Sequence, residues 1–136
     1  MFRFFEVHKM LVNKSNKMCN QDGFGVQIEQ LPVLMMPYFL GIVSQQQIAD
    51  KLFRDKSSVL RTVNSLSHAG LLEVAADPFD KRRKLIQLTT EGKKIALRVA
   101  DELARMDAQV FNCLSDEERT TLANILEKLE KSIEKA

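Results

Sequence analysis

A chain of 136 residues, 45% hydrophobic and 28% charged, has the length of one ordinary domain and enough apolar residues for a packed core. No apolar run approaches the roughly 20 residues that a membrane-spanning helix needs, and the opening Met1-Phe2-Arg3-Phe4-Phe5-Glu6 mixes charge into its apolar stretch, unlike a signal peptide; a cytoplasmic protein with no membrane partner is expected. The net charge of +2 is unevenly spread, with 4 basic against 3 acidic residues over 1–43, 10 against 6 over 44–94 and 6 against 9 over 95–136, so only the middle of the chain suits a polyanion.

Phe4, Val7, His8, Leu11 and Val12 recur at steps of three and four and predict an amphipathic first helix. Polar sequence follows, with a loop over residues 20–25 where two glycines fall among Asn, Gln and Asp. The next helix should carry Ile28, Leu31, Leu34, Met35, Tyr38 and Phe39; Pro32 falls in its first turn, where a missing N–H costs little, whereas Pro37 is expected to kink or end it. Ser44-Gln45-Gln46-Gln47 reads as a capping box that starts a short helix with Ile48, Ala49 and Leu52 inward. Phe53-Arg54-Asp55 forms a turn, and a helix over 55–68 buries Val59, Val63 and Leu66, with Gly70 continuing the pattern. Two short helices joined this way make a helix-turn-helix.

Beyond Gly70, the apolar runs 71–76 and 85–88 flank a charged turn containing Asp77-Pro78, the pattern of a β-hairpin. Thr89 can cap a long helix with Ile95, Val99, Leu103, Met106, Val110 and Leu114 on one stripe. Ser115-Asp116-Glu117-Glu118 is a second capping box, opening a helix whose apolar side holds Leu122, Ile125, Leu126, Leu129 and Ile133. The fold class is therefore mainly α, with a small β component. Cys19 and Cys113 fit no CxxC spacing, and with His8 and His68 they show no metal-ligand spacing. Cys113 is expected in the core. No nucleophile–base pair, phosphate loop or paired acid emerges, so neither an enzyme nor a cofactor is expected.

In the order of these elements, and in Ser44-Gln45-Gln46-Gln47-Ile48-Ala49-Asp50-Lys51-Leu52, Asp55-Lys56-Ser57-Ser58-Val59, Gly70-Leu71-Leu72, Asp77-Pro78-Phe79-Asp80-Lys81-Arg82-Arg83 and Leu88-Thr89-Thr90-Glu91-Gly92, the chain resembles the MarR family of bacterial transcriptional regulators. The resemblance runs almost end to end. It implies a single winged helix-turn-helix domain over 1–136, in which residues 1–25 and 95–136 form dimerisation helices and 26–94 the winged lobe. It also implies a homodimer, with double-stranded DNA as partner. The terminal segments agree, carrying more apolar positions than lone short helices can bury.

With Val59, Val63 and Leu66 inward, the opposite face of the helix over 55–68 presents Ser57, Arg61, Asn64 and His68. Ser57 and Ser58, beside Lys56 in the first turn, suit a phosphate, because free N–H groups and the helix dipole face that end. Arg61 is expected to read a base edge, its guanidinium fork matching guanine O6 and N7. Gln45 and Gln46 are placed to touch the DNA backbone, and His68 reads as a plain surface histidine. The family resemblance assigns Asp80 to holding the wing and Arg82 to entering the minor groove, where negative potential concentrates; Arg83 and Lys84 then meet phosphate or solvent.

Two departures from the family pattern stand out: Val74 and Ala75 occupy positions where arginine is common, and Leu60 replaces a small hydroxyl residue. Phe79, at the wing turn, is expected to pack against its own hairpin. Family members often answer a small aromatic or lipophilic effector, for which Phe5, Met10, Met35, Tyr38 and Phe39 are candidate crevice residues; ordinary core packing is the alternative for each. The expected function is a sequence-specific DNA-binding regulator, a ligand-responsive repressor acting as a homodimer on a pseudo-palindromic operator. The alternative is a winged-helix module for protein–protein contacts without specific DNA binding.

Overall fold

The computed structural model describes residues 1–21 and 23–136. Helix α1, Phe2–Gln21, runs well past the apolar positions that predict it. Residues 13–19 hold neither glycine nor proline, so nothing breaks the backbone hydrogen bonding there, and Cys19 anchors the last turns by burial. The loop expected over 20–25 thus begins only after Gln21; Asp22, which it includes, lies outside the described residues. A 3-10 turn, Ile28–Gln30, leads into α2, Leu31–Leu40, so Ile28 precedes that helix rather than belonging to it. Pro32 sits in the first turn of α2 as expected. Pro37 does not end the helix, which continues to Leu40 and stops at Gly41, where φ is 76°. Burial of Leu31, Val33, Leu34 and Met35 holds the segment helical despite the one lost N–H.

Strand β1, Val43–Ser44, pairs antiparallel with β3, Lys84–Leu88, which pairs in turn with β2, Leu72–Ala76. The register sets Val43 and Val74 on either side of Ile86. Helix α3, Gln45–Leu52, starts with both halves of the capping box formed: the Gln47 N–H donates to Ser44 Oγ at 3.1 Å, and the Ser44 N–H donates to Gln47 Oε1 at 2.8 Å. Helix α4, Lys56–His68, is capped by Asp55, whose Oδ2 accepts from the Ser58 N–H at 2.9 Å.

Val33, Leu34, Ile48, Val59, Val63, Leu66 and Ile86, none more than 1% exposed, form the core that binds α2, α3, α4 and the sheet together. Gly70 is not part of it. The Leu71 N–H donates to the Leu66 carbonyl at 2.9 Å and the Gly70 N–H to the Ser67 carbonyl at 3.0 Å, a Schellman closure with Gly70 exposed at φ 76°. The left-handed backbone needed to stop the helix explains the glycine, not a place in the buried stripe.

Helix α5, Thr90–Phe111, is tied at its start to that closure. The Thr89 hydroxyl donates to the Gly70 carbonyl at 2.7 Å and accepts from the Gly92 N–H at 3.0 Å, while the Thr89 N–H reaches the Leu71 carbonyl at 3.1 Å. A Cβ on Gly92 would lie 2.0 Å from the Leu71 carbonyl oxygen, so no side chain fits there.

The chain divides into two compact units, Met1–Glu102 and Leu103–Ala136. In the second, the end of α5 turns into α6, Asp116–Lys135, through residues 112–115. Leu114 lies in that turn, beyond α5, and Arg119 closes the helix end by donating twice to the Phe111 carbonyl, at 3.2 and 2.9 Å. Ser115 and Glu118 form the expected capping box. Cys113, expected in the core, is instead exposed in this turn, its Sγ 3.5 Å from the Val110 carbonyl oxygen. Along α6, Ile125, Leu126 and Leu129 are about half exposed and Ile133 more so.

Candidate nucleic-acid interface

The N-terminal turns of α3 and α4 and the β2–β3 hairpin enclose an open crevice of about 670 Å³. Four cations, Lys56, Arg82, Arg83 and Lys84, line it against one carboxylate, Asp80. Such a concave cationic surface attracts a polyanion. Helix starts make two of its walls, so backbone N–H groups and the positive ends of two helix dipoles add to the field.

Of the residues read from sequence, Gln45, Gln46, Lys56, Ser57, Asp80, Arg82 and Arg83 come together in this crevice; Ser58, Arg61 and Asn64 do not line it. Arg61 and Asn64 are exposed further along α4. Ser58 is less available than expected. Its N–H is already given to Asp55, and its carbonyl accepts from the Thr62 hydroxyl at 3.2 Å. The first-turn N–H groups left for a ligand are thus those of Lys56 and Ser57. Gln45 Nε2 donates to the Lys56 carbonyl at 3.3 Å, bracing α3 against the start of α4, and Gln46 Nε2 donates to Asp50 Oδ1 at 2.7 Å. Both amides are held in place by these bonds.

Two aspartates build the wing turn. Asp80 Oδ1 accepts from the Arg82 N–H at 3.0 Å, and its carbonyl accepts from the Arg83 N–H at 2.9 Å. Asp77 Oδ1 accepts from the Phe79 N–H at 2.9 Å, and the Asp77 N–H donates to the Arg83 carbonyl at 2.9 Å. The sequence reading missed the part played by Asp77, although an aspartate before proline signals this side-chain-to-backbone turn. Leu60, which the sequence singles out as a departure from the family pattern, lines the crevice beside Ser57. Phe79 is 99% exposed and does not pack on its hairpin: the tight turn closed by Asp77 and Asp80 leaves no surface within reach of its ring.

The five candidate effector residues separate. Met35 is buried, Tyr38 and Phe39 meet edge to face at 5.1 Å on the outer side of α2, and Phe5 and Met10 are exposed on α1. Met35 is therefore core, the outcome that apolar burial on α2 favours. Neither the basic crevice nor the shallow apolar groove at Phe111, Leu122 and Leu126 is lined by any of the five. Among the described residues, no group of three or more His, Cys, Asp or Glu is placed to hold a metal ion, and no helix is long and apolar enough to cross a membrane.

Residues 24–83 match a family model described as MarR family. A candidate transcriptional regulatory protein for the hcr operon of Thauera aromatica is 33% identical over 87 residues, covering 64% of this chain and 52% of that protein. The chain spans between half and two thirds of the length of the curated relatives it matches. Among solved structures, the Staphylococcus aureus MepR–DNA complex aligns with a TM-score of 0.77 at 26% identity, over 95% of this chain and 97% of that one. NadR in complex with 4-hydroxyphenylacetate aligns at 0.81 with 20% identity, over 94% and 89%. The winged helix-turn-helix built from α3, α4 and the β2–β3 hairpin, the family model that matches residues 24–83 across it and the relatives found point the same way: over this lobe the chain is similar to proteins of the MarR family.

Proposed function

We propose that this chain is a sequence-specific regulator that binds double-stranded DNA as a homodimer on a pseudo-palindromic operator. In this reading it is a repressor that leaves the operator when a small aromatic or lipophilic effector binds. The observation that carries the proposal is the basic crevice, in which a recognition-helix start and two wing arginines face the same space. Residues 26–94 form the reading lobe. Lys56 and Ser57 seat a phosphate, Arg61 and Asn64 extend into the major groove from further along α4, and Arg82 enters the minor groove from a wing that Asp77 and Asp80 hold rigid. Ser58 stabilises the helix start, and Gln45, Gln46 and Arg83 flank the DNA backbone.

Residues 1–25 and 95–136 serve dimerisation. Support comes from Phe2, Phe4, Phe5 and Met10 on α1 and Ile125, Leu129 and Ile133 on α6, all at least 47% exposed in the single chain. Phe5 and Met10 on α1 and Tyr38 and Phe39 on α2, all exposed, are the proposed effector contacts; Met35, buried in the core, is not one of them.

Selection of random duplex DNA on the purified protein tests the proposal. The recovered motif should have two half-sites centred about 10 base pairs, or a multiple, apart. Arg61→Ala should relax the preference at one base per half-site. Arg82→Ala should weaken binding to all sequences, and affinity should fall by orders of magnitude as salt rises a few-fold. Recovery of no motif, or full operator affinity in both variants, would count against the assignment.

A further inference from the structure

Leu60 is the one apolar residue among those lining the basic crevice. It is half-buried, on the flank of α4 between the core stripe and the outward face, three residues after Ser57, next to Arg61 and four before Asn64. The core stripe of that helix, Val59, Val63 and Leu66, is complete without it.

We propose that Leu60 is a specificity-determining residue that reads the C5-methyl group of a thymine in the major groove. The inference rests on the DNA-binding function proposed above. An aliphatic side chain at the base edges can neither donate nor accept a hydrogen bond. Set against guanine O6 and N7, adenine N6 or cytosine N4, it would strip water from a polar atom and return nothing. The thymine methyl is the one apolar feature the major groove offers, and contact with it removes hydrocarbon from water on both sides. Leu60 therefore selects thymine twice over, by contact with its methyl and by penalising the alternatives. Its neighbours fix where the thymine falls: between the phosphate seated by Lys56 and Ser57 and the base reached by Arg61.

The test is a thymine-to-uracil scan of the selected operator, which removes one methyl at a time and leaves every hydrogen bond intact. Binding of the full chain is measured at fixed salt. One thymine per half-site should be sensitive, each replacement weakening wild-type binding about fourfold, the equivalent of one buried CH₂. Leu60→Ser should bind the uracil and thymine operators equally. A wild-type protein indifferent to uracil at every position overturns the assignment without any variant having to fold, as does a Leu60→Ser protein that keeps the same uracil penalty. If selection recovers no operator, the DNA-binding function itself fails, and with it this inference; a recovered operator lacking a uracil-sensitive thymine removes Leu60 alone.

Discussion

Phe53 holds the only positive φ among the described non-glycine residues, 52°, with its ring 96% exposed. A left-handed backbone costs a residue with a β-carbon roughly 1–2 kcal/mol, and a ring in solvent returns little of it. Phe53→Gly should therefore stabilise the protein by about 0.5–1 kcal/mol, read as a rise of a few degrees in Tm; a fall would mean that the ring makes a contact worth more than the strain. Single residues were the least legible level in the sequence. Phe53 was placed in a turn, but nothing in a turn assignment reveals the sign of φ. Phe79 misled because an apolar residue in a polar stretch is expected to find local cover, and only the folded chain reveals that the wing offers none; Leu60 stands out in the sequence, but its place in the crevice wall shows only in the fold. Arg61, by contrast, could be placed on the outer face of its helix from periodicity alone.

Among the elements, the two capping boxes share the Ser-x-x-Gln/Glu pattern in sequence and differ in setting. Ser44 is 1% exposed and also belongs to β1, whereas Ser115 starts α6 in an exposed turn. Ser44→Ala removes a cap and leaves the Gln47 N–H without its acceptor where water does not replace it, so its cost should lie near the upper end of the 0.5–2 kcal/mol range for caps; Ser115→Ala should lie near the lower end. Denaturant unfolding of both variants measures the difference, and equal losses would mean that burial adds nothing to the cap. Helices α3 to α6 and the hairpin were legible because their signals are local: caps, three- and four-residue apolar steps, and a turn at Asp-Pro. Strand β1 was not, since two residues carry no alternation and their partners in β3 lie more than forty positions later. The long tail of α1 was hidden for the opposite reason, a polar stretch with no breaker in it.

For the whole molecule, the apolar residues of α1 and α6 were readable as stripes, but a stripe does not name its partner. If a second copy covers them, folding is coupled to association, and stability must rise with protein concentration. Tm should increase by several degrees between about 1 and 100 µM chain, since that span is worth roughly 2.7 kcal/mol to a dimer; a constant Tm would rule out coupled dimerisation. A different cooperativity is set by the joint at Gly92. Because the first turn of α5 rests on the Leu71 carbonyl with no room for a methyl group, and Thr89 bonds to both Gly70 and Leu71, neither helix end can loosen alone. In native-state hydrogen exchange, the amides of Leu71, Thr89 and Gly92 should therefore share one opening free energy and one denaturant dependence, behaving as a single foldon drawn from three elements. Exchange of Gly92 ahead of the other two would show slack in the joint.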